Sequence, residues 1–280
     1  MYNGLIFEGG GMKALAYVGA LEVMYKYQDI YAMQYFGGTS VGSILATLLA
    51  CSHSLKEIND IMYAIDWNKL NDGNFGCFRL FWNCGHHKGK YFEDLINTIL
   101  YKRFGMHNMT FKQLYTNTKK HLRMVGTNIT KGKTVYMDHI FTPQMSVAQG
   151  VRISACNPLS FKPVEIDNEV YIDSCFIKTL DLQMFEEYNI ECVAFDLKED
   201  FNMQNQSKKY ISKNILVYTN RIINMLHEKA NRNTTMNSST SVCVINENKL
   251  DFMKFKLTKL EKQYLKKVGM YEMTKYIYKL

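Results

Sequence analysis

Two glycine-rich turns, one supersecondary unit apart, constrain this chain more than any other feature. Gly9-Gly10-Gly11-Met12-Lys13 follows the apolar run Leu5-Ile6-Phe7, and Gly38-Thr39-Ser40-Val41-Gly42 follows Met33-Gln34-Tyr35-Phe36, which reads as a second short strand. Beyond the second turn, Ser43-Ile44-Leu45-Ala46-Thr47-Leu48-Leu49-Ala50 reads as a buried helix. The second turn fits G-x-S-x-G, in which serine takes a strained strand-to-helix corner and the flanking glycines spare the backbone Cβ clashes. Ser40 then sits at a helix N-terminus, where unpaired N–H groups favour developing negative charge.

The first turn carries two functional readings besides a plain tight turn. Gly9-x-Gly11-x-x-Ala14 between strand and helix matches the dinucleotide fingerprint, which needs an acidic residue at the end of the next strand. Asp29 is near the required distance but precedes the candidate strand, which runs instead into Gly38-Thr39-Ser40. The other reading aims backbone N–H groups at an oxyanion, with the helix from Met12 onward adding its positive dipole end. Lys13, in a first helical turn, reads as a solvated side chain secondary to those amides.

A nucleophilic serine needs a base, and histidine fits poorly. In the order Ser, acid, His, only His227 lies late enough, and it falls in a helix-like stretch. An aspartate acting alone then becomes worth considering. Asp138, Asp173 and Asp196 each close a strand-like run, and spacing does not choose between them; a turn or cap role is open to each.

Four blocks together resemble the patatin-like phospholipases. Glu8-Gly9-Gly10-Gly11-Met12-Lys13 is similar to that family's oxyanion loop, and Gly38-Thr39-Ser40-Val41-Gly42 to its nucleophile elbow. Val151-Arg152-Ile153-Ser154-Ala155-Cys156-Asn157-Pro158-Leu159-Ser160-Phe161-Lys162-Pro163 is similar to its Arg-x-Ser-x-x-x-Pro-x-x-Phe-x-Pro segment. Tyr171-Ile172-Asp173-Ser174 stands where its catalytic aspartate lies. Weaker similarity runs through Leu122 to Asn128 and from Phe255 to Gly269. The resemblance implies a three-layer α/β/α sandwich with a central, mostly parallel sheet. It also implies a single domain over 1–280, with the motifs in about 1–200 and a strand and basic helix in about 242–280. The implied activity is lipid acyl hydrolysis of the phospholipase A type, with Ser40 and Asp173 as a dyad. Gly9, Gly10, Gly11, Met12 and Lys13 would form the oxyanion hole, and Gly38, Thr39, Val41 and Gly42 the elbow.

The chain departs from the family pattern at several points. Ser174 and then Cys175 follow the aspartate where glycine is usual, Ala14 replaces a glycine, and Lys178-Thr179-Leu180 replaces an Asn-Pro element. These changes bear on rate and substrate more than on fold. They keep open an inactive or weak lipid-binding member of the same fold, alongside the less favoured dinucleotide-binding protein.

In the expected chemistry, Asp173 takes the Ser40 hydroxyl proton as Oγ attacks an ester carbonyl, and water later cleaves the acyl-enzyme. An exposed aspartate, with a pKa of about 3.9, is a feeble base, so this scheme requires its burial. No metal or cofactor is called for. Cys77, Cys84, His86 and His87 do not match the short-spaced zinc patterns.

At 280 residues and 47% hydrophobic content, the chain can bury a good-sized core. Seven scattered cysteines, an odd number, suggest reduced thiols. The chain opens directly into a strand, so cytoplasmic residence is expected; delivery into another cell without a cleaved signal would read the same. The polar stretches Lys198–Lys213 and Asn231–Ser241 read as surface loops or as a rim around a lipid site. No stretch is long and apolar enough to span a bilayer, so membrane contact would be peripheral.

Nine lysines and three acidic residues lie between Lys249 and Leu280 in a chain of net charge +8. Thr258 to Glu261 reads as a capping box. Leu257, Leu260, Tyr264, Val268 and Tyr271 would share one face of the helix, with Lys259, Lys262 and Lys266 toward solvent. That face suits either attraction to an anionic lipid surface or a helix docked on the core. Phe75, Phe78, Phe81 and Trp82 could insert at an interface or be buried in the core or over an acyl site. No nucleic-acid-binding module accompanies the charge. The expected partners are a phospholipid or other lipid ester, a membrane surface and an unidentified activator.

Overall fold

The computed structural model describes residues 1–70, 85–174, 177, 180–198, 239–247, 250 and 257–279. In chain order the elements begin with β1 (Gly4–Phe7), α1 (Leu15–Met24), β2 (Tyr35–Gly38), α2 (Val41–Ala50) and α3 (Leu55–Ala64). Then come β3 (Gly85–His87), α4 (Lys90–Phe104), α5 (Phe111–Thr118), β4 (His121–Asn128), β5 (Lys133–Met137) and α6 (Val147–Ser154). The rest are β6 (Leu159–Phe161), β7 (Val164–Ile166), β8 (Glu169–Asp173), β9 (Cys192–Lys198), β10 (Thr240–Asn246) and α7 (Lys259–Tyr278).

The main sheet runs β10-β9-β1-β2-β4-β8-β7, with β5 also paired to β4. Neighbours from β10 to β4 are parallel, whereas β8 and β5 are antiparallel to β4. This is the mixed, mostly parallel α/β sheet that the resemblance implied. β1 lies between β9 and β2 and is buried along its whole length, as its unbroken apolar sequence requires of an interior parallel strand. β2 begins at Tyr35, two residues later than the sequence suggests. Gln34 still takes part in the edge, because its carbonyl accepts the His121 N–H at 2.7 Å.

One face of the sheet, with Leu5, Phe7, Phe36, Leu122, Met124, Val193 and Phe195, joins the helices in a large core. The Phe7 and Phe195 rings stack with centroids 5.0 Å apart. The opposite face, with Ile6, Val125 and Ala194, is covered by Met184 and Phe185 from the turns between β8 and β9. Among the described residues, the layer on that side is thinner than the helical one.

α7 docks on α1 through backbone. A Cβ on Gly19 would fall 1.9 Å from the Lys266 carbonyl oxygen, and one on Gly269 would fall 1.7 Å from that of Ala16. No side chain fits at either point, so the helices approach closely there. The capping box forms as expected, with Thr258 accepting from the Glu261 N–H. The buried face is a different one: it holds Leu265, Gly269, Glu272 and Met273, while Leu260 and Tyr271 are exposed. Lys262 turns inward to the Tyr63 carbonyl and Lys266 to Glu22, because contact at Gly269 sets the rotation of the helix. The basic face expected toward solvent therefore keeps Lys259 but loses Lys262 and Lys266. Among the described residues, no helix is long and apolar enough to cross a membrane.

Candidate active site

The chain leaves β1 through Gly9 and Gly10 into one tight 3-10 turn, Gly11–Ala14, closed by the Lys13 N–H on the Gly10 carbonyl at 3.0 Å. The α-helix thus starts at Leu15 and not at Met12, because its first turn, Gly11–Ala14, is wound as a 3-10 helix that runs directly into it. β2 leads into the second turn, where Ser40 has φ 52° and ψ −127°. Such a backbone costs a non-glycine residue on the order of 1–3 kcal/mol and persists only where the surroundings impose it. Here the packing imposes it. A Cβ on Gly42 would lie 2.4 Å from the Phe7 carbonyl oxygen, and one on Gly38 would lie 2.4 Å from the Gly42 carbonyl, so α2 is pressed against the end of β1.

The two glycine turns meet. A Cβ on Gly9 would lie 3.0 Å from Ser40 Cβ and 3.8 Å from its Oγ. Ser40, Gly9 and Gly11 retain partial exposure, whereas Gly10, Met12, Lys13, Thr39, Val41 and Gly42 are buried. The pair of turns therefore presents a small accessible patch over a rigid base.

The acidic side comes from the antiparallel end of the sheet. β8 ends at Asp173, 1% exposed and paired in register with Gly126 of β4. The Asp173 N–H donates to the Cys156 carbonyl at 2.9 Å. Two residues earlier, Ser154 Oγ accepts the Ser40 N–H at 3.0 Å and donates to the Val125 carbonyl at 2.8 Å. One turn at the end of α6 thus holds the backbones of both Ser40 and Asp173. Ser154 was legible in the sequence only as part of the Arg-x-Ser block, without a role. Arg152, in the same block, donates to the Lys88 and Lys162 carbonyls and locks the β3–α4 turn against the segment after β6. Burial pushes the Cys156 thiol up, Arg152 opposes the shift and Asp173 adds to it, which keeps a neutral S–H beside the aspartate.

The other two aspartates lie elsewhere. Asp138 pairs with Arg123, and Asp196 sits inside β9, which runs on to Lys198, so it does not close a strand. Lys13 is not the solvated first-turn lysine that the sequence suggests. It is 4% exposed, and its Nζ lies 2.9 Å from Oε2 of Glu247, itself fully buried just after β10. A lysine buried there needs a carboxylate partner, and the C-terminal strand supplies one. Glu8 Oε2 accepts the Leu197 N–H at 2.7 Å, and Tyr17 donates to the Glu8 carbonyl at 3.0 Å. Sequence reading assigned nothing to Glu247.

Phe75, Phe78, Phe81, Trp82, Cys77, Cys84, His227, Cys175, Lys178, Thr179 and the His86 side chain lie outside the described residues. So do 199–213 and 231–238 of the two polar stretches.

The patatin-like phospholipase family model matches residues 5–184, well over half of the chain. The chain belongs to that family. Among curated relatives, uncharacterized protein R571 of Acanthamoeba polyphaga mimivirus is 32% identical over 185 residues, covering 65% of this chain and 61% of R571. Probable lipid hydrolase 463L of Invertebrate iridescent virus 6 is 29% identical over 182 residues, covering 61% of this chain and 59% of that protein. The chain thus spans about three fifths of these relatives. VipD from Legionella pneumophila shares the fold, with a TM-score of 0.64 at 18% identity over 98% of this chain and 66% of VipD. The type III effector protein ExoU does so at 0.55 and 16%, over 99% of this chain and 53% of ExoU.

Proposed function

We propose that this family member is a lipid acyl hydrolase, with Ser40 as nucleophile and Asp173 as its base. The observation that carries the reading is the shared anchorage at the end of α6, where Ser154 holds the Ser40 N–H and Cys156 holds the Asp173 N–H. Support also comes from the strained Ser40 backbone, a geometry that holds a side chain at the head of a helix and exposes it. Burial of Asp173 meets the condition under which a carboxylate can serve as base. Ser40 Oγ attacks the ester carbonyl and Asp173 takes its proton. The amides of Gly10 and Gly11, joined by that of Val41, receive the oxyanion beside Ser40. The alcohol leaves with the proton, and water then attacks the acyl-enzyme by the same route in reverse. The substrates are phospholipids or related lipid esters, met at a membrane surface from the cytoplasmic side, and 463L, named a probable lipid hydrolase, agrees with this class.

The test is hydrolysis of phosphatidylcholine/phosphatidylserine vesicles, with released fatty acids and lysolipids identified by mass spectrometry. Ser40→Ala is expected to stay folded and to lose turnover; hydrolysis near the wild-type rate by that variant contradicts the assignment. Ser174, fully buried directly after Asp173, favours a second reading, a weak lipid-binding member of the family. A fluorophosphonate separates the two, since it labels Ser40 only in a competent site.

A further inference from the structure

The glycine turn is braced from a part of the chain outside the family match. Lys13 closes the turn through its N–H on the Gly10 carbonyl, which ties Lys13 to Gly10 across the turn. Its side chain runs inward to Glu247, whose N–H is held by the Lys198 carbonyl at the end of β9. Glu247 Oε1 accepts the Leu250 N–H at 3.0 Å, which orients the carboxylate and leaves Oε2 toward Lys13. On the other side of the glycines, Glu8 Oε2 accepts the Leu197 N–H. The turn is thus fastened at both ends to the paired tips of β9 and β10, where Leu197 faces Ile245 and Lys198 faces Asn246.

We propose that Glu247 is a positioning residue, which through its buried ion pair with Lys13 holds the Gly9–Lys13 turn in the shape that presents its amides to the oxyanion. This rests on the hydrolase reading above. The Lys13 charge is directed into the protein, so the turn contributes amides, and the C-terminal strand sets where they point. Displacing such donors by about 1 Å costs on the order of 100-fold in rate, and it does so in kcat without weakening ground-state binding.

The experiment measures kcat and KM on a soluble p-nitrophenyl ester, the rate of fluorophosphonate labelling and the melting temperature. The proteins are the wild type, Glu247→Gln, Glu247→Asp and the paired Lys13→Met/Glu247→Leu. Glu247→Gln is expected to lower kcat and labelling about 100-fold with KM within about two-fold. Glu247→Asp, which keeps the charge on a shorter arm, should recover part of the loss. The apolar pair removes both charges together, so its melting temperature should stay near that of the wild type while kcat remains low. It carries the test if Glu247→Gln does not fold. A kcat that returns with the melting temperature in the apolar pair, or an unchanged kcat in Glu247→Gln, overturns the proposal alone. A wild type inert to ester, vesicles and fluorophosphonate overturns the hydrolase reading and this proposal with it.

Discussion

Asp173 closes β8 and Asp138 directly follows β5, both strands paired with β4, yet the surroundings of the two aspartates differ. The Asp138 carboxylate is committed to structure. Its Oδ2 takes the Arg123 Nε–H at 2.6 Å, and its Oδ1 takes the Ile140 and Phe141 N–H groups at 2.7 Å each. Arg123 also reaches Glu187 and the Met184 carbonyl and lies under the rings of Tyr136, Phe141, Phe185 and Tyr188. At the end of β8, by contrast, the backbone of Asp173 is tied to the same helix end that holds the strained Ser40. A carboxylate that must clamp a buried cation is unsuited to accepting a proton in turnover, which under the reading proposed above leaves the role to Asp173.

The largest effect expected from this contrast is on chemistry. Asp173→Asn should lower lipid hydrolysis by about a thousand-fold while leaving the melting temperature near that of the wild type. Equal losses of activity from Asp173→Asn and Asp138→Asn, measured per folded molecule, would erase the distinction. Next in size, Asp138→Ala should destabilise the fold by about 3 kcal/mol in chemical denaturation, because it strips a partner from a buried guanidinium. The smallest effect sharpens the same contrast through pH. The His121 ring stacks on Tyr35 at 4.4 Å and meets the His139 ring at 4.9 Å. Burial, then His139 and Arg123, lower its pKa from 6.5 to about 4 against an opposing pull from Asp138. The unfolded chain therefore binds the proton first, and stability falls as pH drops from about 6.5 towards 4, by about 1 kcal/mol once solvent screening of this half-buried ring is allowed for. His121→Phe should remove that slope from a series of melting temperatures; an unchanged slope assigns it to other groups.

Much of the backbone of the candidate site could be read from sequence, because a glycine turn after an apolar run leaves the backbone few choices. Gly38, Gly42 and Ser40 stand in the strand-turn-helix context expected of them. The partners of Lys13 and Asp138 could not be read. Arg123 meets Asp138 only through the register of the β4–β5 hairpin, Glu247 is distant in sequence from Lys13, and nothing local marks a lysine whose carboxylate arrives from just after β10. The rotation of α7 was also hidden. Apolar spacing favoured Leu260 and Tyr271, but the helix is seated by the absence of side chains at Gly19 and Gly269, and it buries the stems of Lys262 and Lys266 along the way.

The crossing of α1 and α7 has a consequence for how the molecule is made. α1 follows directly from the first glycine turn, yet among the described residues the seat along its Ala16–Gly19 ridge is filled from α7, by Lys266, Gly269 and Met270. During synthesis that ridge must wait, uncovered, until almost all of the chain described here has left the ribosome. Contacts between such distant segments form late and leave apolar surface open in the meantime. The nascent chain thus passes through a long interval in which the seat on its first helix has no roof.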